Sequence, residues 1–189
     1  MKKISISAEP HNWPKKGSVE ISKWALIIVD MQNDYCTSGC YVDNAGYDIE
    51  KLRKPIPFIQ KVLQVVRTIG MEVIFTRHGS AEKTGTTASK GSSCYEIIKE
   101  LKPSENEIIF DKTTISVFNS SDIDDYLKNK GIEYLAFCGN TIDCCVHSAV
   151  RSANDLNYKC LLLSDCCGAL NSYLHKWSLE SIKIENGVF

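Results

Sequence analysis

The chain has 189 residues, with 22 Lys and Arg against 23 Asp and Glu, and 43% of its residues are hydrophobic. This length and composition are typical of one globular domain with a substantial core, so we expect a single domain over residues 1–189. The net charge of −1, without a long run of one sign, argues against a nucleic-acid partner or a membrane-binding patch. The opening MKKISISAEPHNWP lacks the apolar stretch of a secretory signal, and no apolar run reaches membrane-spanning length.

The nine cysteines predict reduced thiols rather than a disulfide framework or a zinc site. Their number is odd and no secretory leader precedes them, which favours a cytoplasmic protein. The chain has no Cys-x-x-Cys pair, only Cys36 and Cys40 four apart and the adjacent pairs Cys144–Cys145 and Cys166–Cys167. This spacing does not match a structural zinc site.

The first part of the chain predicts an arm, a strand and a loop. Residues 1–22 are polar with two prolines, so we expect an N-terminal arm that wraps the surface. The apolar run WALIIV at residues 24–29 predicts a strand that is buried on both faces. Glycines and an Asp-Asn pair in the residues that follow, up to about 46, predict a loop.

From there on, helical and strand patterns alternate. In chain order they predict a helix from Pro55 or Pro57 to Gly70, a strand over 71–76, an exposed loop over 77–93, a short helix over 95–101 and a strand over 107–110. They then predict a helix from Ser120 or Ser121 through Leu127, a strand over 134–138, a helix from about Cys144, a strand over 159–163 and a helix over 173–184.

This alternation predicts an α/β protein. We expect a mostly parallel central sheet with helices on both faces, which is a three-layer α/β/α fold of Rossmann-like topology. In such sheets, sites form beyond the carboxyl ends of the strands. Asp30, Lys112 and the Cys144–Cys145 turn each follow the carboxyl end of a predicted strand. We therefore expect them to converge at one edge of the sheet.

The residue types at this edge indicate nucleophilic chemistry. A helix N-terminus carries unsatisfied N–H groups and partial positive charge, which favours a thiolate, the nucleophilic form of cysteine. Asp30 is a candidate base, and Lys112 beside the nucleophile would lower the pKa of the thiol. Ordinary structural roles compete with this interpretation, because adjacent cysteines are often core residues, and acids at strand ends and lone lysines are common surface features.

The four histidines are a rival source of a base. His78 follows the second predicted strand and could reach the sheet edge. His147 is two residues past Cys145, so the two side chains would point to different faces of a helix. His11 lies in the arm and His175 on the last helix. We therefore favour a Cys–Asp–Lys arrangement over a Cys–His arrangement.

Three segments resemble a known family. ALIIVDMQNDYC, DKTTISVF and CGNTIDCCVHSAVRSAND, in this order, are similar to the three signature segments of the isochorismatase-like cysteine hydrolases. The resemblance extends from about residue 10 to the end of the chain. It implies a catalytic triad of Asp30, Lys112 and Cys145. Of the two adjacent cysteines, the family pattern selects Cys145, because its nucleophile is followed by a valine, here Val146.

The same resemblance implies further features of the site. Relatives carry a non-proline cis peptide just before the nucleophile, which would fall at Asn140–Thr141. The backbone N–H groups of Thr141 and Cys145 would then form the oxyanion hole. Tyr35 and Phe118 are expected to be walls of the substrate pocket.

Within the family, AEPHNWP, GCYVDNAGYD, RSANDLNYKCLLLSDCCGA and the ending GVF most resemble the biuret amidohydrolases, which hydrolyse small urea-like amides. The 77–93 loop is shorter than in many of those relatives. Glu185 stands where they have a Gln near the substrate, which changes both charge and hydrogen-bond donors. Relatives also continue past the position of Phe189 into a last strand, so we expect a sheet one strand short or a truncated sequence.

The resemblance also bears on cofactors. Metal-dependent nicotinamidases of the family carry a D-x-H motif and a further histidine shortly after the acid strand. Here CTSGCYVDNAGYD contains no histidine, so we expect neither a catalytic metal nor another cofactor.

These observations predict a cysteine hydrolase that cleaves the C–N bond of a small linear amide or ureide through an acyl-enzyme. The alternatives are an isochorismatase- or nicotinamidase-type hydrolase acting on another small substrate, and a non-catalytic binding protein. Isochorismatases can lack the cysteine, so its presence favours amide hydrolysis. We expect a cytoplasmic homo-oligomer, either a dimer or a tetramer, whose partner is its small-molecule substrate.

Overall fold

A computed structural model describes residues 2–80 and 89–184. The predicted N-terminal arm forms a small antiparallel ribbon of β1 (Lys3–Ile4) and β2 (Val19–Glu20). Between these strands, Ile6 and Trp13 exchange two backbone hydrogen bonds of 2.7 Å. The Trp13 ring meets the edge of the Tyr134 ring at 6.3 Å, which attaches the arm to the end of the central sheet.

The central sheet contains five parallel strands in the order β5-β4-β3-β6-β7. They are β3 (Trp24–Val29), β4 (Glu72–His78), β5 (Ile108–Lys112), β6 (Tyr134–Gly139) and β7 (Lys159–Cys167). Every residue of β3 and β6 is buried, as their unbroken apolar sequences predict. The chain builds outward from β3 to β5 and then returns to β6 beside β3. The strand order therefore reverses between β3 and β6, the position where open α/β sheets form their sites.

Helices connect and cover the strands. They are α1 (Asn33–Cys36), α2 (Tyr41–Asn44), α3 (Glu50–Arg53), α4 (Ile56–Ile69), α5 (Ile123–Asn129), α6 (His147–Asp155) and α7 (Ser172–Ile184). The longest of them, α4, buries Ile56, Ile59, Leu63 and Val66 at helical spacing. It ends at Gly70, whose φ of 76° lets its N–H reach the last carbonyls of the helix. The predicted α/β class with a parallel sheet is confirmed.

Several predicted boundaries differ from the structure. β4, β5 and β7 run further than their apolar residues, because backbone pairing continues through polar positions such as His78 opposite Lys112. Lys112 is thus the last residue of a strand, not part of a loop. The predicted 95–101 helix is two short 3-10 turns, Ser93–Tyr95 and Lys99–Leu101. Residues 81–88 of the predicted 77–93 loop, together with Glu185 and the end of the chain, lie outside the described residues.

The predicted loop after Asp30 instead contains the short helices α1 and α2. Local side chains hold this segment in place. The Asp43 carboxylate accepts hydrogen bonds from the Ser38 hydroxyl at 2.7 Å and from the Gly39 N–H at 2.8 Å. Polar residues of this kind predict turns, and here they also stabilise single helical turns between them.

The expectation that all nine cysteines are free thiols is wrong for one pair. Cys40 and Cys94 form a disulfide, with their Cα atoms 5.8 Å apart and 54 residues of separation along the chain. This proximity comes from tertiary packing of the 93–98 segment against α1 and α2, which cysteine spacing alone does not indicate. The other seven cysteines are free. Within residues 2–80 and 89–184, no helix has the length and apolarity that crossing a membrane requires.

Candidate active site

Asp30, Lys112 and Cys145 meet at the carboxyl edge of the sheet, as their positions predict. Lys112 Nζ lies 2.8 Å from Asp30 Oδ2 and 3.5 Å from Cys145 Sγ. The Asp30 and Lys112 side chains are 0% exposed, and Cys145 is 4% exposed. The ammonium group therefore bridges an acid and a thiol inside the protein.

The Asp30 carboxylate is oriented by the neighbouring strand β4. Thr76 donates its hydroxyl to Asp30 Oδ1 at 2.5 Å and accepts the Asp30 N–H at 3.1 Å. Asp30 has a φ of 48°, in the left-handed region that non-glycine residues seldom adopt. Oδ2 contacts the Lys112 ammonium as an ion pair, but the contact lacks hydrogen-bond geometry, and no other described residue donates to this oxygen. Oδ2 is therefore the oxygen with room for a proton.

The loop after β5 holds the Lys112 ammonium from its other side. Lys112 donates to the backbone carbonyl of Thr114 at 3.2 Å and to that of Ile115 at 3.0 Å. A fully buried ammonium is tolerated only when it is paired and hydrogen-bonded, and both conditions hold here. The two carbonyls and Asp30 fix the charge beside the sulfur.

Cys145 lies in a tight turn that β6 feeds directly. Gly139 ends β6 with a φ of 116°, and a Cβ at this position would lie 2.1 Å from the Val29 carbonyl oxygen. Only glycine lets the two strands approach this closely. The Asn140–Thr141 peptide is cis, as the resemblance implies. A π-helical turn, Ile142–Val146, then leads into α6, so the nucleophile precedes the regular helix instead of opening it.

The predicted oxyanion hole is framed by this turn. The N–H groups of Cys144 and Val146 both donate to the Thr141 carbonyl at 3.1 Å, and the Ile142 N–H donates to Gly168 at 2.9 Å. None of the described residues accepts a hydrogen bond from the Thr141 N–H. The role of the Thr141 and Cys145 N–H groups toward an oxyanion stays a prediction.

The pKa values of the two adjacent thiols, Cys144 and Cys145, are shifted in opposite directions. A hydrogen bond with Cys144, burial and the charge of Asp30 raise the pKa of Cys145, while Lys112 lowers it. The bond with Cys145 lowers the pKa of the half-buried Cys144 to about 7. Lys112 acts in the expected direction, while burial, the bond with Cys144 and the Asp30 charge act against a resting thiolate at Cys145. The resting thiolate stays a prediction, and a base that removes the thiol proton during attack would meet the same need.

His78 is a fourth group at the nucleophile. Its Nδ1 lies 3.9 Å from Cys145 Sγ, and burial followed by the Lys112 charge lowers the pKa of its imidazole. Gln32 holds the backbone of His78, accepting its N–H at 2.7 Å and donating to its carbonyl at 3.0 Å. The sequence placed His78 within reach of this edge, but the Gln32 contact was missed. The only signal for it was a polar residue two positions after the acid.

Ligand atoms of Asp30, His78 and Cys145 lie within 4.8 Å of one another, close enough to hold a metal ion. The Lys112 ammonium contacts two of these three groups, so a cation there would meet a fixed positive charge. The absence of a catalytic metal remains a prediction, which the donor set makes testable by chelation.

The predicted pocket residues have different outcomes. Burial, followed by the charges of Asp30 and Cys145, raises the pKa of Tyr35 well above its usual value, which places the phenol beside the triad. Phe118 lies in the turn after Lys112, with its ring 6.1 Å from that of Tyr158. Contact of either side chain with substrate stays a prediction. Glu185 lies outside the described residues.

Two clefts open on other parts of the surface. One of about 910 Å³ lies between α3 and the 96–109 segment, and one of about 750 Å³ lies beside the start of α7. Neither is lined by Asp30, Lys112 or Cys145. Asn33 and Cys36 of α1 line the larger of these two clefts.

The chain is similar to known proteins in both sequence and fold. The chain is 35% identical over 179 residues to the ureidoacrylate amidohydrolase RutB of Variovorax paradoxus, covering 80% of this chain and 71% of that protein. It is 33% identical over 179 residues to the RutB of Agrobacterium fabrum, covering 80% and 78%. An isochorismatase-like hydrolase from Alkaliphilus metalliredigens has a TM-score of 0.79 at 28% identity, covering 87% of this chain and 92% of that one. Residues 24–188 match the isochorismatase domain, so the chain belongs to the isochorismatase family.

Proposed function

We propose that this chain is a cysteine amidohydrolase that cleaves the C–N bond of a small linear amide or ureide through an acyl-enzyme on Cys145. The observation that carries the proposal is the buried Lys112 ammonium, which contacts both the Asp30 carboxylate and the Cys145 sulfur. This arrangement is expensive to bury and unnecessary for folding alone. It supplies a nucleophile, a base and a charge that stabilises the thiolate during attack.

Acylation follows from the positions of these groups. Asp30 Oδ2, which accepts no hydrogen bond, takes the thiol proton as Cys145 Sγ attacks the substrate carbonyl carbon. Lys112 stabilises the developing thiolate at 3.5 Å. The negative charge on the carbonyl oxygen is received by the N–H groups of Thr141 and Cys145. Asp30 then returns the proton to the departing amine, the C–N bond breaks, and an acyl-Cys145 thioester remains.

The substrate class rests on the nucleophile and on the relatives. A thiolate attacks the electrophilic carbon of an amide or a ureide, whereas an enol ether is cleaved without such an attack. The relatives at 33–35% identity carry the name ureidoacrylate amidohydrolase, which supports a carbamoyl-containing substrate. An isochorismatase-type or nicotinamidase-type activity and a non-catalytic role are outcomes of the same test.

A screen for ammonia release tests the proposal. Small amides, linear ureides and nicotinamide are incubated with the parent chain and with Cys145→Ala. We expect turnover of a linear ureide or amide by the parent and none by the variant. Cys160→Ala is the matched control, because Cys160 is also a buried thiol but has no role in the proposed mechanism. Its thiol contacts the Val150 carbonyl of α6. Equal ammonia release by Cys145→Ala, or no ammonia release by the parent from any amide or ureide, would overturn the proposal.

A further inference from the structure

We propose that His78 is the base that activates water for release of the acyl group from Cys145. This proposal rests on the proposed acyl-enzyme mechanism. His78 ends β4, and its Nδ1 lies 3.9 Å from Cys145 Sγ. In the intermediate the acyl carbon is bonded to this sulfur. A base at that distance therefore adjoins the carbon that water must attack.

Solvent access separates His78 from Asp30 in this step. The base for hydrolysis has to contact a water molecule that enters from the pocket. The Asp30 and Lys112 side chains are 0% exposed, and Thr76 covers the other Asp30 oxygen. His78 is only half-buried and still contacts the sulfur. Acylation requires a base for the buried thiol proton, which is the role of Asp30. Deacylation requires a base that contacts entering water, which is the role of His78.

The backbone of His78, from which the imidazole projects, is held by a buried side chain. Gln32 is 0% exposed and bonds both the N–H and the carbonyl of His78, at 2.7 and 3.0 Å. The same Gln32 amide donates to the Tyr95 carbonyl at 2.8 Å. A base needs this kind of support, because small errors in position lower its efficiency.

The charged groups around His78 favour its basic form. Burial and the Lys112 ammonium lower the pKa of His78, and the carboxylates of Asp30 and Asp34 act in the opposite direction with smaller effect. The thiol of Cys145, whose sulfur lies 3.9 Å from Nδ1, is consumed in the thioester. At neutral pH the imidazole is therefore uncharged and able to accept a proton.

The step balances without any other reactant. Neutral His78 Nδ1 accepts one proton from water while the water oxygen forms a bond to the thioester carbonyl carbon. The tetrahedral intermediate collapses with cleavage of the C–S bond. The protonated imidazole returns its proton to the departing sulfur. The products are the free acid and the resting Cys145 thiol.

The test separates acylation from deacylation with p-nitrophenyl acetate, an activated ester whose good leaving group makes acylation fast. We compare the parent chain with His78→Gln, which replaces the imidazole by an amide of similar size that cannot act as a base. We expect the variant to release about one equivalent of p-nitrophenolate per site rapidly and then turn over roughly 10²- to 10⁴-fold more slowly than the parent. Acetyl-Cys145 should accumulate in the variant, as read by mass mapping. His11→Gln, in the N-terminal arm, should behave like the parent.

A second measurement does not depend on how the variant folds. In the parent, the slow phase should increase with pH through one ionisation below the ordinary histidine value of 6.5. A slow phase without this ionisation, or a His78→Gln variant that loses both phases equally or neither, would refute the role of His78 alone. A parent chain that never forms acetyl-Cys145 would refute the proposed function itself, and this inference with it.

Discussion

Lys112 Nζ lies 2.8 Å from Asp30 Oδ2, although Asp30 follows β3 and Lys112 ends β5, two strands that are not neighbours in the sheet. β4 runs between β3 and β5, and its Thr76 binds the other oxygen of the same carboxylate. Acid, hydroxyl and amine thus form one buried layer across three adjacent strands. A buried ion pair of this kind is poor evidence for stability but good evidence for a site.

The first prediction concerns this pair. Lys112→Met should lower the free energy of unfolding by about 3–5 kcal/mol, because it leaves the Asp30 charge buried without its partner. The double variant Asp30→Asn, Lys112→Met should regain most of this loss. Urea unfolding measures the free energy of unfolding of the single and the double variant. The control Lys128→Met removes an exposed lysine and should lower this free energy much less. Losses that simply add in the double variant would show that the pair is not coupled.

The second prediction is catalytic. Asp30→Asn keeps the shape of the side chain and removes the base, so kcat should fall by about 10²- to 10⁴-fold. Circular dichroism should show an unchanged fold. Asp125→Asn, an exposed acid on α5, is the control and should keep its full rate. Asp30→Asn with nearly full kcat would remove Asp30 from the mechanism.

The third prediction follows from the adjacent thiols. The pKa of Cys144 is lowered to about 7 and its side chain is half-buried, whereas the pKa of Cys145 is raised. In the resting protein iodoacetamide should therefore label Cys144 first. Because the thiolate is the reactive form, the labelling rate should rise as the pH increases through about 7. Preferential labelling of Cys145 over this pH range would restore the original expectation of a resting thiolate there.

The fourth prediction addresses the disulfide. Cys40 and Cys94 close a loop with a sequence separation of 54 residues, so chain-entropy arguments give a stabilisation of up to about 4 kcal/mol. Adding a dithiol reductant should lower the midpoint of urea unfolding in the parent. The variant Cys40→Ser, Cys94→Ser should unfold at one midpoint with or without reductant. An unfolding midpoint of the parent that does not change with reductant would mean that the disulfide does not stabilise the fold.

The sheet and the triad were predictable because they depend on local patterns. The run at 24–29 is apolar at every position, and the structure has its strand with the same bounds. Parallel strands bring their carboxyl ends together, so Asp30, Lys112 and Cys145 had to approach one another once the strands were assigned. Motifs and topology were therefore sufficient to predict that these three residues lie close together.

What sequence did not predict depends on contacts between distant segments. Gln32 reaches the backbone of His78 across 46 residues, and Cys40 reaches Cys94 across 54. The pKa directions of Cys144 and Cys145 likewise result from burial and from a contact between two thiols. A helix N-terminus and a nearby lysine suggested a thiolate, but the hydrogen bond with Cys144, desolvation and the Asp30 charge all raise the pKa of Cys145.

In the proposed mechanism, Cys145 carries the acyl group. The most direct measurement is peptide mass mapping after rapid acid quench of the parent chain during turnover of a small amide or ureide. We predict an added acyl mass on Cys145, absent from Cys145→Ser and retained in Asp125→Asn. An acyl mass on Cys144, or turnover with no covalent adduct at any cysteine, would contradict the account.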